Sequence, residues 1–119
     1  MEEELENFWD QIKNATGGEQ IKLFINYCIR LIELKEKGVL SEEEAAYKMV
    51  GAMQFDNLTN SPECDAIFDI AGTTEISRAT SYTQPIGQWD EKTANKVKQE
   101  EWKELVAAVE NAKKSIKMD

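Results

Sequence analysis

The sequence predicts an all-α fold: a compact bundle of about five helices packed around a central apolar helix at 19–37. Three observations carry that expectation. Apolar residues recur at three- and four-residue spacing along most of the 119-residue chain, the signature of helices with a buried face. Stop and start signals separate these stretches: Gly17-Gly18, then Gly38 followed by Ser41, then Ser61-Pro62. The most isoleucine-rich stretch runs nineteen residues without a turn signal, which is too long for a strand. At this length one domain, 1–119, is the natural count. An apolar content of 41% fills one core, and 31% charge with a mean hydropathy of −0.56 supplies a well-solvated surface.

The first helix is expected over 2–15, where Leu5, Phe8, Trp9, Ile12 and Ala15 share a face. Glu2, Glu3, Glu4 and Glu6 suit the positive end of its dipole. Gly17-Gly18 closes it, since a glycine just past the last turn adopts the left-handed conformation at little cost. Over 19–37 the apolar residues Ile21, Leu23, Phe24, Ile25, Tyr27, Cys28, Ile29, Leu31, Ile32 and Leu34 surround nearly the whole helix. A helix apolar all round is a central one.

Gly38 ends that helix, and Ser41 with Glu44 three residues later forms a capping box preceded by Leu40 as a staple. The third helix, about 42–55, is expected to pack through Ala45, Ala46, Met49, Val50 and Met53, with Ala46 and Gly51 permitting close approach. Residues 56–60 read as a loop. Ser61 then caps a fourth helix that has Pro62 at its first position. It runs over about 62–71 and buries Ile67, Phe68 and Ala71. Gly72-Thr73-Thr74 has poor helix propensity, so a break there and a continuation to Arg78 that buries Ile76 are equally open. Residues 79–89 carry no charge, hold a proline and a glycine, and form the longest irregular segment. Asp90 caps a last helix at 91–115, with Ala94, Val97, Trp102, Leu105, Val106, Val109, Ala112 and Ile116 along its face. Lys113, Lys114 and Lys117 sit at its negative end.

Charge is sorted along the chain. The net charge is −9, with −5 falling in residues 1–10 and −7 in 41–75, where Lys48 is the single cation. Affinity for nucleic acid comes mostly from lysine and arginine neutralising phosphates, so nucleic-acid binding is disfavoured. The lysines of 91–117 alternate with glutamates and read as an ordinary solvated face. No apolar run approaches the roughly 20 residues of a membrane span, and Met1-Glu2-Glu3-Glu4 is the reverse of a secretory start. Cys28 and Cys64, 36 residues apart inside helical patterns, read as buried small hydrophobes in a reducing, cytoplasmic setting. In that setting the Asn-x-Thr triplets at 14–16 and 57–59 are chance matches.

The chain has no histidine, which removes Ser-His-Asp and Cys-His catalysis and the usual imidazole metal ligand. Glu42-Glu43-Glu44 point in different directions on a helix, Asp56 and the residues after it lack the ligand spacing of a calcium loop, and no phosphate-binding glycine loop occurs. The expectation is a protein that is not an enzyme and holds no cofactor or metal.

Asp65 and Asp69, four apart, lie one turn above each other on the fourth helix. Like charges so placed cost a helix a few tenths of a kcal/mol, a cost that a cationic partner would offset. Glu63, Asp56 and Glu75 are close in sequence. Tyr82, in the uncharged segment beside them, belongs to a residue type enriched in binding hot spots. Trp89 is read as packing before the Asp90 cap. The candidate partner-binding set is therefore Asp56, Glu63, Asp65, Asp69, Glu75 and Tyr82.

In size, acidity and lack of catalytic equipment the chain resembles bacterial immunity proteins, a likeness of character along its whole length that no residue motif carries. The resemblance implies a protein that neutralises a basic, nuclease-like toxin by occluding its active site. Two other readings share these features. One is a regulatory or adaptor module that binds a partner peptide or helix. The other is a viral inhibitor that mimics DNA, against which the near-neutral 76–119 segment argues.

Overall fold

A computed structural model describes residues 2–73 and 91–116, with side chains at 3–72 and 99–116. The described chain is helical throughout, with α1 (Glu2–Asn14), α2 (Gly17–Glu36), α3 (Glu42–Val50), a 3-10 turn (Gly51–Gln54), α4 (Asp56–Thr59), α5 (Pro62–Thr73) and α6 (Glu91–Ser115). The described residues include no strand.

Helix α2 is central, as its all-round apolar pattern requires. It packs against α1, α3, α4 and α6, and it reaches α5 through the Phe24 and Phe68 rings, 5.1 Å apart. Phe24, Ile25, Cys28 and Leu31 are fully buried on it. Truncating a core aromatic such as Phe24 to alanine costs about 3–5 kcal/mol. Around this axis Leu5 and Ile12 of α1, Ala45, Ala46 and Met49 of α3, and Trp102, Leu105, Val109 and Ala112 of α6 complete one continuous core.

The turns follow the predicted chemistry. Thr16 is extended and Gly17 is left-handed at φ +57, so one glycine both ends α1 and starts α2. Gly38, at φ +78, closes α2. Its N–H donates to the Lys35 carbonyl at 2.9 Å and the Val39 N–H to the Leu34 carbonyl at 2.9 Å, the paired bonds of a Schellman ending. The capping box forms in both directions. The Glu44 N–H donates to Ser41 Oγ at 3.1 Å, and the Ser41 N–H donates to Glu44 Oε1 at 3.3 Å. Leu40 is buried beside it, where a staple residue belongs.

The second turn is locked from outside by Lys35. Its ammonium lies 3.5 Å from Glu42 and 5.2 Å from the centre of the Trp102 ring, which ties α2, α3 and α6 at one end of the bundle. The Trp102 indole N–H donates to Glu36 at 3.3 Å.

Four expectations are corrected. The third helix stops at Val50 rather than about 55, because the chain tightens into the 3-10 turn and Phe55 becomes extended (φ −94, ψ 109). That places the Phe55 ring 5.5 Å from Trp9 of α1, a tertiary contact with no local signal. Met53 consequently points outward, 46% exposed, instead of packing. Gly51 is not needed for close approach, since an added Cβ would meet Trp9 at an ordinary 3.8 Å.

Residues 56–60 are a helical turn rather than a loop. Leu58, fully buried, anchors α4 despite the poor propensity of its neighbours. At the open question of Gly72, α5 continues through it to Thr73. The expected cap Asp90, the irregular segment 79–89 and Ile76 lie outside the described residues.

A polar joint holds α4 in place. Gln20, 6% exposed, donates from Nε2 to the Ile12 carbonyl at 2.9 Å and accepts at Oε1 from Asn57 Nδ2 at 3.0 Å. Asn57 Nδ2 also donates to the Gly17 carbonyl at 2.9 Å. One amide pair, buried Gln20 and exposed Asn57, therefore joins the end of α1, the start of α2 and α4, and it sets the position of the adjoining Asp56.

Candidate functional site

Helix α5 divides cleanly by face. Cys64, Ile67, Phe68 and Ala71 are buried, while Pro62, Asp65, Ala66, Asp69 and Gly72 are exposed. The inward set recurs at the three- and four-residue spacing of one helical face, which leaves Asp65 and Asp69 on the opposite side, one turn apart. Their exposed neighbours on the helix are small or ring-closed residues. The two carboxylates are thus the tallest groups on that face.

Ser61 fixes the start of the helix. It is buried, its carbonyl accepts from the Asp65 N–H at 2.8 Å, and its Oγ accepts a long bond from the Cys64 N–H at 3.5 Å. The Ser61 hydroxyl donates to the Glu63 carboxylate at 2.9 Å. Glu63, half-buried, therefore completes the cap, and this internal use separates it from the outward-facing aspartates. Asp56 is exposed in the first turn of α4, the element packed against α5. Among the described residues no ion pair is made by Asp56, Glu63 or Asp65. Glu75 and Tyr82 lie outside the described residues.

Several carboxylates elsewhere on the surface are paired. Glu4 pairs with Arg30, which also meets Glu33 at 3.2 Å, and the bond that Arg30 donates to Glu4 holds its guanidinium above the usual range. Asp10 lies 3.9 Å from Lys13, and Glu42 is taken by Lys35. Such surface pairs contribute about 0–1 kcal/mol each, but they draw charge away from 1–10. Asp56, Asp65 and Asp69 are thus the exposed members of the predicted set on adjoining helices.

The thiols behave as core groups. Cys28 and Cys64 are both buried and free. Burial pushes both above their ordinary range, with the neighbouring Cys64 adding to the effect at Cys28. Thiols held neutral in this way are poor nucleophiles. Among the described residues no three acidic or cysteine side chains converge as a metal cage, and no helix is long and apolar enough to cross a membrane.

One exposed residue was missed in the sequence. Tyr47 on α3 is 67% exposed, an aromatic side chain standing in the acidic 41–75 stretch. Its position opposite Ala45, Ala46 and Met49 on the helix was the available signal. Comparison with known proteins returns no matching family model, no similar curated protein and no similar solved structure.

Proposed function

We propose that the protein is a protein-binding inhibitor of the immunity or antitoxin type, which covers the functional surface of a basic, nuclease-like toxin with the acidic outer face of α4 and α5. The observation that carries this reading is the exposure of Asp65 and Asp69 one turn apart among small neighbours, with Asp56 on the adjoining helix. Carboxylates so placed stand where a basic enzyme's substrate phosphates would lie. Opposite charge also speeds encounter, to about 10⁸ M⁻¹s⁻¹ or above at low salt. The rigid Gln20–Asn57 joint and the Ser61 cap support it too, because they fix both acidic elements before any partner arrives.

The test is affinity capture of a basic partner, followed by an assay of that partner's activity with and without the protein. The double variant Asp65→Lys, Asp69→Lys should keep its helical circular dichroism and lose at least roughly 100-fold in affinity, as expected for two charge couplings of about 1.5 kcal/mol or more each. Unchanged affinity in the folded variant would refute the assignment. The adaptor reading draws on the exposed Tyr47. It predicts binding nearly indifferent to salt, whereas the inhibitor reading predicts steep weakening as salt rises.

A further inference from the structure

Helices α1 and α3 flank a cleft of about 520 Å³ that is floored by α2, within the roughly 300–1,000 Å³ usual for ligand sites. Its buried floor is Leu5, Leu40 and Tyr27, with half-buried Trp9 on one wall. Its exposed rim carries the carboxylates of Glu6, Asp10 and Glu44, and the one ammonium among the lining residues is that of half-buried Lys48.

Tyr27 gives the cleft its chemistry. The side chain is 4% exposed, and its ring is packed on Phe8 at 5.9 Å and Trp9 at 6.2 Å. Its hydroxyl has no hydrogen-bond partner among the described residues. Burial, helped by the neighbouring Cys28, pushes the phenol up to about 12, so it stays a neutral O–H with lone pairs to offer. A buried tyrosine hydroxyl normally finds a partner, and one left unpaired in a cleft floor marks a position that a ligand group can fill.

We propose that this cleft receives an arginine side chain presented by a partner protein. A guanidinium has five donors and no acceptor, which matches a site offering a phenol oxygen, the Glu6 carboxylate and the acceptor capacity that Asp10 and Glu44 keep beside their contacts with Lys13 and the Ser41 N–H. Its plane stacks on an aromatic face such as Trp9, and its apolar stem lies along Leu5 and Leu40. An anion is repelled by the rim. Lysine, a compact charge without a stacking plane, gains less. The volume also accommodates the backbone on either side of the arginine, which favours a residue in a polypeptide over a free cation. The cleft is built from different elements than the α5 aspartates and stands whether or not they bind a toxin.

The experiment is a two-dimensional NMR titration of the full chain with N-acetyl-arginine amide, N-acetyl-lysine amide and an acetylated Ala-Ala-Arg-Ala-Ala peptide. Arginine should move the Trp9 indole N–H and the amides of Leu5, Tyr27 and Leu40 saturably, with a Kd on the order of 1–10 mM. The peptide should bind more tightly than the amide, and the lysine probe several-fold more weakly. Tyr27→Phe should weaken arginine binding about five-fold, roughly 1 kcal/mol, and Lys48→Gln should strengthen it. Should Tyr27→Phe fail to fold, the exposed pair Glu6→Gln, Asp10→Asn serves instead and should weaken binding by a similar factor. Non-saturable shifts, equal responses to arginine and lysine, or indifference to these substitutions would overturn the proposal. An amide that binds as tightly as the peptide would overturn the assignment to a partner protein.

Discussion

Gln20→Met tests the polar joint that positions α4. Methionine is close to glutamine in length and volume, so the substitution removes two hydrogen bonds, to the Ile12 carbonyl at 2.9 Å and from Asn57 at 3.0 Å, without opening a cavity. Each neutral bond contributes about 1 kcal/mol net, giving about 2 kcal/mol. The full penalty for orphaned groups is not reached, because the Ile12 carbonyl still accepts from the Ala15 N–H at 3.3 Å and Asn57 keeps the Gly17 carbonyl. Burying an apolar side chain returns a few tenths of a kcal/mol, which leaves about 1.5 kcal/mol of destabilisation. For a chain of this size that lowers Tm by about 6 °C and the urea midpoint by about 0.5–1 M. Urea denaturation followed by far-UV circular dichroism measures both variant and parent. A double-mutant cycle with Asn57→Ala isolates the shared bond and should give a coupling of about 0.5–1 kcal/mol. A variant as stable as the parent, or additive effects in the cycle, would refute the reasoning that these amides hold α4 to α2.

Ser41→Ala removes the acceptor for the Glu44 N–H and should cost about 1 kcal/mol, read from the same denaturation curves. Gly51→Ala should stabilise by about 0.5 kcal/mol, because the residue is already helical (φ −55, ψ −25) and an added Cβ meets only Trp9 at 3.8 Å; a destabilised variant would show that the α1 contact is tighter than described. Alkaline pH should destabilise the protein. Cys28 and Cys64 are held above their ordinary 9.0, and Tyr27 is raised from 10.0 to about 12. The folded state therefore keeps protons that the unfolded chain releases. The associated stability is complete below about pH 9 and is lost as pH rises toward about 12. Urea midpoints equal at pH 7 and about pH 10.5 would contradict the burial of these groups.

The helices were legible where their signals are local. The capping box at Ser41, the left-handed glycines at 17 and 38, and the all-round apolar pattern of α2 each belong to a few consecutive residues, and each appears where the pattern puts it. What escaped depended on contacts distant in sequence. The early end of α3 follows from Phe55 docking on Trp9, 46 positions away, and α4 exists because Leu58 is buried and Asn57 bonds to Gln20. Helix periodicity placed Asp65 and Asp69 on the outer face of α5, since the inward residues of that helix are unambiguous. It could not place Glu63, whose carboxylate turns back to the Ser61 hydroxyl. The α1–α3 cleft was invisible for the same reason, because its floor and rim come from four separate stretches of chain.

Helix α5 keeps its two duties on opposite sides of one short cylinder. Cys64, Ile67, Phe68 and Ala71 answer to the interior, while positions 62, 65, 66, 69 and 72 are exposed to solvent. Substitutions at the outer positions other than Pro62, Asp69 and Gly72 therefore usually change stability by about 0.5 kcal/mol or less. A lineage could rewrite the outer positions repeatedly, reversing or rearranging their charge as an interacting molecule drifts, and still inherit the same hydrophobic scaffold.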